Sequence, residues 1–285
     1  MRDQAHALRQ AVRDADAVAR TPDPDGPPAV VIGSGKGGVG KSVVSLLLAA
    51  AFARAGRRTL LLDGAQNQGN LHILLGLRPA ASLGAVHAGD IEPEALLMPV
   101  AERLTLLPGD SGAESLYSLG AIDRARLHRR LSTVYDTFDQ VVVDGGSGVE
   151  SVIRTAGIRA RRLAIVASPE PASLADAYAL LKLVNLQIPS LPIDVMVNRG
   201  TADEEGQAVF DRLQLAARRF LRRELGFLGC VPEDEKLRLG ARRPGALLEV
   251  RHAAIDAVAA QLAARDVAVW TPDSDAATNL RGLAT

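Results

Sequence analysis

The sequence predicts an α/β fold, a doubly wound and mostly parallel sheet with helices on both faces. From residue 28 onward, short apolar segments rich in β-forming residues alternate with longer helical segments, an order typical of α/β domains. Several of the apolar segments are continuous rather than alternating, as expected for strands buried on both faces. A glycine-rich loop also joins the first of these strands to the first helix.

Strands and helices follow one another along most of the chain. Strands are expected at 29–32, 59–63, 104–107, 140–144, 163–167, 193–198 and 227–231. Helices are expected at 43–55, 124–137, 174–185, 205–221 and 247–264, with Ser173 capping the amino end of the third. A chain of 285 residues can bury the core of one such domain, or at most of two small ones, and we place a single domain at 29–270.

The two ends of the chain are expected to lie outside this domain. Residues 1–20 form a short amphipathic helix, with Leu8, Val12, Ala15 and Ala19 at helical spacing. Residues 21–28 contain four prolines and one glycine, a composition that predicts a linker. Residues 271–285 read as a polar tail.

Composition excludes several classes of protein. Lys+Arg and Asp+Glu both number 33, so the net charge is zero and no strongly basic nucleic-acid surface is expected. A single cysteine, Cys230, rules out a disulfide framework and any paired-cysteine metal site. The five histidines show no metal-ligand spacing. Without a signal peptide or a membrane-length apolar run, the chain is expected to be cytoplasmic.

A phosphate-binding loop is predicted between the first strand and the first helix. Here the pattern GxxxxGK[ST] follows a strand and opens a helix, so that backbone N–H groups and the helix amino end surround an anion. Lys41 is expected to reach the β- and γ-phosphates, and the Ser42 hydroxyl to coordinate Mg²⁺. The expected nucleotide contacts are Gly35, Lys36, Gly37, Gly38, Val39, Gly40, Lys41 and Ser42.

Two predicted strands end in aspartate, at the sheet edge where parallel sheets bind ligands. Asp144 follows three valines and is expected to hold Mg²⁺ through water, although an aspartate in this position can also be an ordinary turn residue. Asp63 follows three leucines. Gly109-Asp110-Ser111-Gly112 is similar to a serine-protease nucleophile loop, but a turn after a strand explains it better in an α/β chain.

The phosphate loop contains a second lysine, Lys36, and with it the loop resembles the motif of a known family. KGGVGKS resembles the deviant Walker A motif of the MinD/ParA family of P-loop ATPases. In that family the additional lysine crosses to the partner subunit's nucleotide. The resemblance therefore implies an ATP-dependent homodimer that uses ATP and Mg²⁺, with Lys36, Lys41 and Asp63 as catalytic residues.

Motifs in the second half of the chain narrow the resemblance to one group of proteins within this family. Residues 168–182 resemble the PEPxSLxDAYALxK run of FlhG-type flagellar regulators within the same family. Asn198 matches the family's adenine-reading asparagine, whose amide can both donate and accept. Pro232 lies in a run, 227–234, that is similar to the family's loop over the base. These matches imply an adenine pocket containing Asn198 and Pro232.

The amino-terminal helix matches a partner motif of the same proteins. Asp3, Gln4, Leu8 and Arg9 fit the pattern DQAxxLR, by which FlhG-type proteins stimulate the GTPase FlhF. The resemblance thus implies regulation of flagellar number or placement. It also suggests a flagellar transcription regulator or basal-body protein as a further partner, with recruitment to the cell pole or flagellar base.

One position departs from the family pattern. The segment that begins at Asp63 resembles the family's DxD switch, but the second aspartate is replaced by Ala65. That carboxylate orients the water that attacks the γ-phosphate, so we expect ATP to bind and hydrolysis to be slow. Gln66 or Gln68 could instead position the water, as glutamine does in other P-loop enzymes.

Two other functions remain open from the sequence. A ParA-like ATPase that positions a cargo on DNA would need a basic stripe, and a non-hydrolysing nucleotide-gated adaptor would account for Ala65. Direct membrane binding is expected to be weak or absent, because the tail contains only Leu280 and Leu283 as large apolar residues after residue 270.

Overall fold

A computed structural model of the chain describes residues 29–64, 70–109, 121–148, 151–152 and 160–269. The strands in these residues are β1 Ala29–Ser34, β2 Thr59–Asp63, β3 Met98–Ala101, β4 Leu104–Leu107, β5 Gln140–Ser147, β6 Ala160–Ala167, β7 Ile193–Gly200 and β8 Gly226–Pro232. The α-helices are α1 Lys41–Arg54, α2 Leu71–Leu75, α3 Leu83–Ala88, α4 Ala121–Tyr135, α5 Pro171–Gln187, α6 Asp203–Ala216, α7 Glu235–Gly240 and α8 Ala253–Val269. Shorter turns are the 3₁₀ helices Pro93–Leu96 and Ala246–Glu249 and the π-helix Ala217–Leu221.

One sheet contains all eight of these strands, in the order β3-β4-β2-β5-β1-β6-β7-β8. Every neighbouring pair is parallel except β3 and β4, which are antiparallel. The chain runs outward from β1 in both directions, so the sheet is doubly wound. The predicted fold class is confirmed.

Apolar side chains pack on both faces of the sheet. Successive strand residues point to opposite faces, so Val31 and Leu60 join one core with α4, α5 and α6, whereas Val30 and Leu61 join a second with α1 and α8. Helix α1 is buried along nearly its whole length because it lies between the sheet and α8. This is why its sequence is rich in alanine and leucine instead of amphipathic.

Several predicted elements needed correction. Strand β3 was missed, because four residues that include Pro99 at a sheet edge lack a strand pattern. Ser173 is not the cap of α5: the helix starts at Pro171, and the Ser173 hydroxyl accepts from the Ser168 N–H at 2.9 Å. The segment predicted as one helix, 205–221, is α6 followed by the π-helix.

The predicted helix 247–264 is also two elements. A 3₁₀ turn ends at Glu249, extended backbone follows at Val250, and α8 runs from Ala253 to Val269. Leu247 is fully buried, and Val250 packs from extended backbone against the same core. Burial in this segment overrides the helical pattern.

Some predictions fall on residues outside the described part of the chain. These are the amino-terminal helix 1–20, the linker 21–28, the tail 271–285, the switch residues 65–68 and the Asp110-Ser111 pair. Among the described helices, none is long and apolar enough to cross a membrane.

Candidate functional site

The predicted phosphate loop lies between β1 and α1, at the carboxyl edge of the sheet. Gly40 has φ 89° and precedes the first residue of α1, and Gly38 has φ 83°, a left-handed backbone that favours glycine. Gly35 is required for a different reason. A Cβ there would lie 2.1 Å from the Asp176 carbonyl oxygen on α5, so the loop packs directly on that helix.

Two buried charges meet beneath this loop. Lys41, which is 9% exposed, places Nζ 3.8 Å from Oδ1 of Asp144, which is 1% exposed. That Oδ1 atom has no hydrogen-bond partner among the described residues. Ser42 follows in the first turn of α1 and is half-buried. A hydroxyl and an unsatisfied carboxylate oxygen beside a phosphate loop fit a hydrated Mg²⁺ ion, which prefers oxygen ligands and retains several waters.

Asp63 lies next to Asp144 in the sheet. The two aspartates are register partners on β2 and β5, as expected for neighbouring strands that end at the same edge. Oδ2 of Asp63 accepts a hydrogen bond from the Leu71 N–H at 3.0 Å. Because Asn70 makes no side-chain cap at the start of α2, this carboxylate also satisfies a helix amide. Asp63 therefore connects the carboxyl edge of the sheet to Leu71, where the predicted switch segment ends.

The second loop lysine is bound within its own chain. Lys36 Nζ lies 2.8 Å from Oε2 of Glu170, at the start of α5, and both side chains are exposed. The hydrogen bond and the charge of Glu170 raise the pKa of Lys36, and the same contact lowers the pKa of Glu170. Glu170 was not among the predicted site residues. Its sequence signal is the PEP run that follows β6.

A cavity of about 400 Å³ opens beside Gly40. Asn198 and Pro232, both predicted to contact adenine, line it together with Gly40. The Asn198 amide donates to the Val39 carbonyl at 2.7 Å, so this side chain also supports the phosphate loop. Further lining residues that sequence reasoning missed are Val43, Arg199, Leu237, Arg238, Arg242 and Ile255. The cavity has a size common for small-molecule sites.

The geometry thus brings the predicted site residues of the domain to one edge of the sheet. The amides of the glycine loop and Lys41 are placed to bind phosphates. Ser42 and Asp144 are placed to bind a cation, and the adjoining cavity has room for a base. Lys36 lies outside this arrangement, at the exposed surface of the loop. The predicted partner-binding residues at the amino terminus lie outside the described chain.

Comparison with known proteins gives matches over most of the chain. Residues 30–243 match the family model of the CobQ/CobB/MinD/ParA nucleotide-binding domain. The antiactivator FleN of Pseudomonas aeruginosa is 32% identical over 241 residues, 85% of this chain and 86% of FleN. The flagellum site-determining protein YlxH of Helicobacter pylori is 27% identical over 210 residues, covering 73% of this chain and 71% of YlxH.

Solved structures agree on the fold. A chain of the MinC:MinD cell division protein complex of Aquifex aeolicus superposes with a TM-score of 0.66 at 24% identity, and the match covers 83% of this chain and 96% of that one. MinD of Pyrococcus horikoshii, complexed with Mg-ADP, gives a TM-score of 0.63 at 24% identity and covers 84% and 98%.

Proposed function

Because the chain belongs to the CobQ/CobB/MinD/ParA family of nucleotide-binding proteins, and has flagellar regulators among its relatives, we propose that it is an ATP-dependent dimerising switch that regulates flagellar number or placement. The ATP-bound dimer and the nucleotide-free monomer would present different surfaces to partners. The chain would act in the cytoplasm, with partners recruiting it to the cell pole or flagellar base.

The observation that carries this proposal is the position of Lys36. A lysine is not needed at this point of the loop to bind phosphate within one chain, since Lys41 already lies beneath the loop. Lys36 is exposed and is held by an exposed carboxylate, Glu170. Surface ion pairs of this kind are weak, so ATP on a partner subunit can compete for the lysine.

ATP and Mg²⁺ fit the residues at the sheet edge. In our proposal Ser42 and, through water, Asp144 hold Mg²⁺, while the loop amides and Lys41 hold the phosphates. When bound, Mg²⁺ neutralises charge on the phosphate oxygens. Asn198 and Pro232 flank the base. Asp63 orients the switch segment, and Ala65 leaves that segment without the carboxylate that positions water for attack.

The proposed partner is an FlhF-like GTPase, reached through Asp3, Gln4, Leu8 and Arg9. A glutamine on a docking helix can order water or phosphate in the partner's site. Flagellar transcription regulators and basal-body proteins are further candidates. The relatives named antiactivator and flagellum site-determining protein support the flagellar assignment over a ParA-like cargo positioner on DNA.

The test is GTP hydrolysis by the FlhF-like GTPase with and without the full chain. We expect stimulation by the wild type and little stimulation by Gln4→Ala, with Gln10→Ala, on the same segment but outside the motif, as the matched control. Equal stimulation by the wild type and Gln4→Ala would refute the assignment of this motif.

A further inference from the structure

Strand β5 continues past the aspartate at which the sequence predicted it to end. The prediction placed this strand at 140–144, but β5 extends to Ser147 beside the carboxyl end of β1. Of the three added residues, which follow the proposed metal-binding residue Asp144, two are glycines and only Ser147 has a polar side chain. The extension therefore adds one hydroxyl to the edge of the sheet that carries the phosphate loop.

An extra residue in this part of β5 decides where Ser147 points. In a regular strand, a side chain three positions after Asp144 would lie on the opposite face of the sheet. Asp144 is the register partner of Ile32 on β1. Two positions later on β1, Ser34 is the partner of Ser147, so β5 has one residue more than β1 over this stretch.

This bulge returns Ser147 to the face of Asp144. Register partners on neighbouring parallel strands share a face, and Asp144 points to the face on which Lys41 lies. Gly146, with φ 71°, has the left-handed backbone that a bulge can require of a glycine. Bulges next to active sites commonly re-aim a side chain, and here the side chain is turned toward the phosphate loop.

The Ser147 hydroxyl faces the phosphate loop across open space. Its side chain is exposed, and a Cβ built on Gly37 would lie 3.8 Å from Ser147 Oγ and within 4 Å of no other described atom. Backbone contacts fix the two sides of this space. The Gly148 N–H donates to the Ser34 carbonyl at 3.0 Å, and the Ser34 hydroxyl donates to the Lys36 carbonyl at 2.7 Å. The space is therefore open while its walls are held in place.

The order of the strands indicates which part of a nucleotide would lie there. The cavity suited to a base is lined by residues at the carboxyl ends of β7 and β8, and the phosphate loop follows β1. Strand β5 lies on the other side of β1 from β7 and β8. A nucleotide whose base fills the cavity and whose phosphates cross the loop therefore has its last phosphate toward β5. The position of Asp144 agrees, because Mg²⁺ in P-loop enzymes bridges the last two phosphates.

We propose that Ser147 distinguishes ATP from ADP by donating a hydrogen bond from its hydroxyl to the terminal phosphate of ATP. The proposal rests on the proposed function, since it requires ATP at this loop. Hydrogen bonds to charged phosphate oxygens are stronger than those between neutral groups, so one hydroxyl is sufficient to separate the two nucleotides. With ADP the terminal phosphate is missing, and the hydroxyl remains in water.

This contact gives the switch a sensor within one chain. A ligand shifts an equilibrium between two states only as far as its affinities for them differ, so an ATP-driven switch must bind ATP and ADP differently. Lys36 is proposed to act on the nucleotide of a partner subunit. Ser147 acts on the nucleotide of its own subunit, and its contribution is therefore present before a dimer forms.

Nucleotide titration of the full chain with Mg²⁺ tests the contact. Every protein in this series carries Lys36→Ala, so that dimerisation does not contribute to the affinities. We expect Ser147→Ala to weaken binding of a non-hydrolysable ATP analogue about tenfold, because a hydrogen bond to a charged group is lost, and to leave ADP binding unchanged. Ser147→Thr keeps the hydroxyl and should keep the ratio of the two affinities.

The matched control is Ser132→Ala. The Ser132 hydroxyl donates to the Arg129 carbonyl within α4, so this change removes a hydroxyl far from the loop and should leave both affinities unchanged. Hydrogen exchange gives a second readout that does not depend on affinity. Amides of residues 146–148 should exchange more slowly with saturating analogue than with saturating ADP, and this difference should disappear in Ser147→Ala.

The possible results separate this proposal from the proposed function. Equal weakening of analogue and ADP binding by Ser147→Ala would make Ser147 a support of the loop and overturn the proposal. An unchanged ratio also overturns it, and the proposed function stands if the protein with Lys36 intact still dimerises with the analogue. If Ser147→Ala lowers the ratio but the protein with Lys36 intact stays monomeric, the role of Ser147 stands and the proposed dimerisation is refuted. A chain that binds neither nucleotide refutes both.

Discussion

At the scale of single residues, the site depends on charges placed where water is scarce. Lys41 and Asp144 are nearly inaccessible to solvent, and one Asp144 oxygen lacks a hydrogen-bond partner in the described chain. An unsatisfied buried carboxylate oxygen is costly, which is reasonable at a position that waits for a ligand. Lys36 differs because its side chain is exposed and pairs with Glu170 at the surface. In our proposal it leaves Glu170 and binds the nucleotide of a partner subunit.

The role of Asp144 can be tested through its dependence on metal. Asp144→Asn should weaken Mg·ATP binding at least about tenfold, because a carboxylate that holds the ion through water is lost. Binding of ATP in EDTA should change little. The measurement is nucleotide titration with and without Mg²⁺, with Asp256→Asn, at an exposed carboxylate on α8, as the control. An unchanged ratio of the two affinities would remove Asp144 from the metal site.

Ala65 is expected to limit hydrolysis and not binding. One positioned catalytic group commonly contributes about 10²–10⁴ to a rate, or roughly 3–5 kcal/mol of barrier. Ala65→Asp should therefore raise kcat strongly while the nucleotide Kd stays nearly constant. Single-turnover hydrolysis and nucleotide titration measure the two quantities. Wild-type turnover that is already fast, and that collapses in Gln66→Ala or Gln68→Ala, would show that an amide replaces the missing aspartate.

At the scale of elements, α5 connects the phosphate loop to the rest of the molecule. Its first residues receive Lys36 through Glu170, and the Asp176 carbonyl lies directly against Gly35. Its last turn carries the exposed side chain of Leu186. Helix α5 therefore runs from the phosphate loop at the carboxyl edge of the sheet to the amino edge.

Gly35→Ala tests the packing of the loop on α5. The added methyl group would overlap the Asp176 backbone, so we expect a loss of about 1–3 kcal/mol in the free energy of unfolding without nucleotide. Gly37→Ala is the matched control, since the nearest atom to its Cβ, Ser147 Oγ, lies 3.8 Å away. Denaturant unfolding measures both variants. Equal stability of the two would show that the contact does not constrain the loop.

Local sequence patterns predicted the elements that are regular and buried. The phosphate loop, α1 and the strand-ending aspartates follow from spacing alone, and the structure places them at one edge. Strand β3 could not be predicted, because its four residues at a sheet edge have little pattern. Glu170 could not be paired with Lys36, since 134 positions separate them and only the folded chain brings them together.

The exposed surfaces were the least predictable part. A helical pattern over 205–221 indicates a core-facing side, but it does not reveal that Leu215 and Phe220 stay in solvent. Leu215 lies at the end of α6 and Phe220 in the π-helix, and Arg223, just after the π-helix, donates to Asn185 of α5, 38 positions away in sequence. Tertiary contacts, and not local propensity, decide this region.

At the scale of the whole molecule, the doubly wound sheet separates two surfaces. Its carboxyl edge carries the proposed nucleotide site and Lys36, where a second subunit is proposed to bind. Its amino edge carries Ala29 and Ala160, the first residues of β1 and β6. The proposed dimerisation at the carboxyl edge would therefore leave the amino edge open to other contacts.

Sedimentation velocity of the full chain tests the central claim, nucleotide-driven dimerisation through Lys36. With Mg²⁺ and a non-hydrolysable ATP analogue, the wild type should sediment as a dimer, and with ADP or no nucleotide as a monomer. Lys36→Ala should stay monomeric with the analogue while still binding it, whereas Lys182→Ala, at an exposed lysine on α5, should dimerise normally. A wild-type protein that remains monomeric under saturating analogue, or a Lys36→Ala variant that dimerises as well as the wild type, would contradict the account.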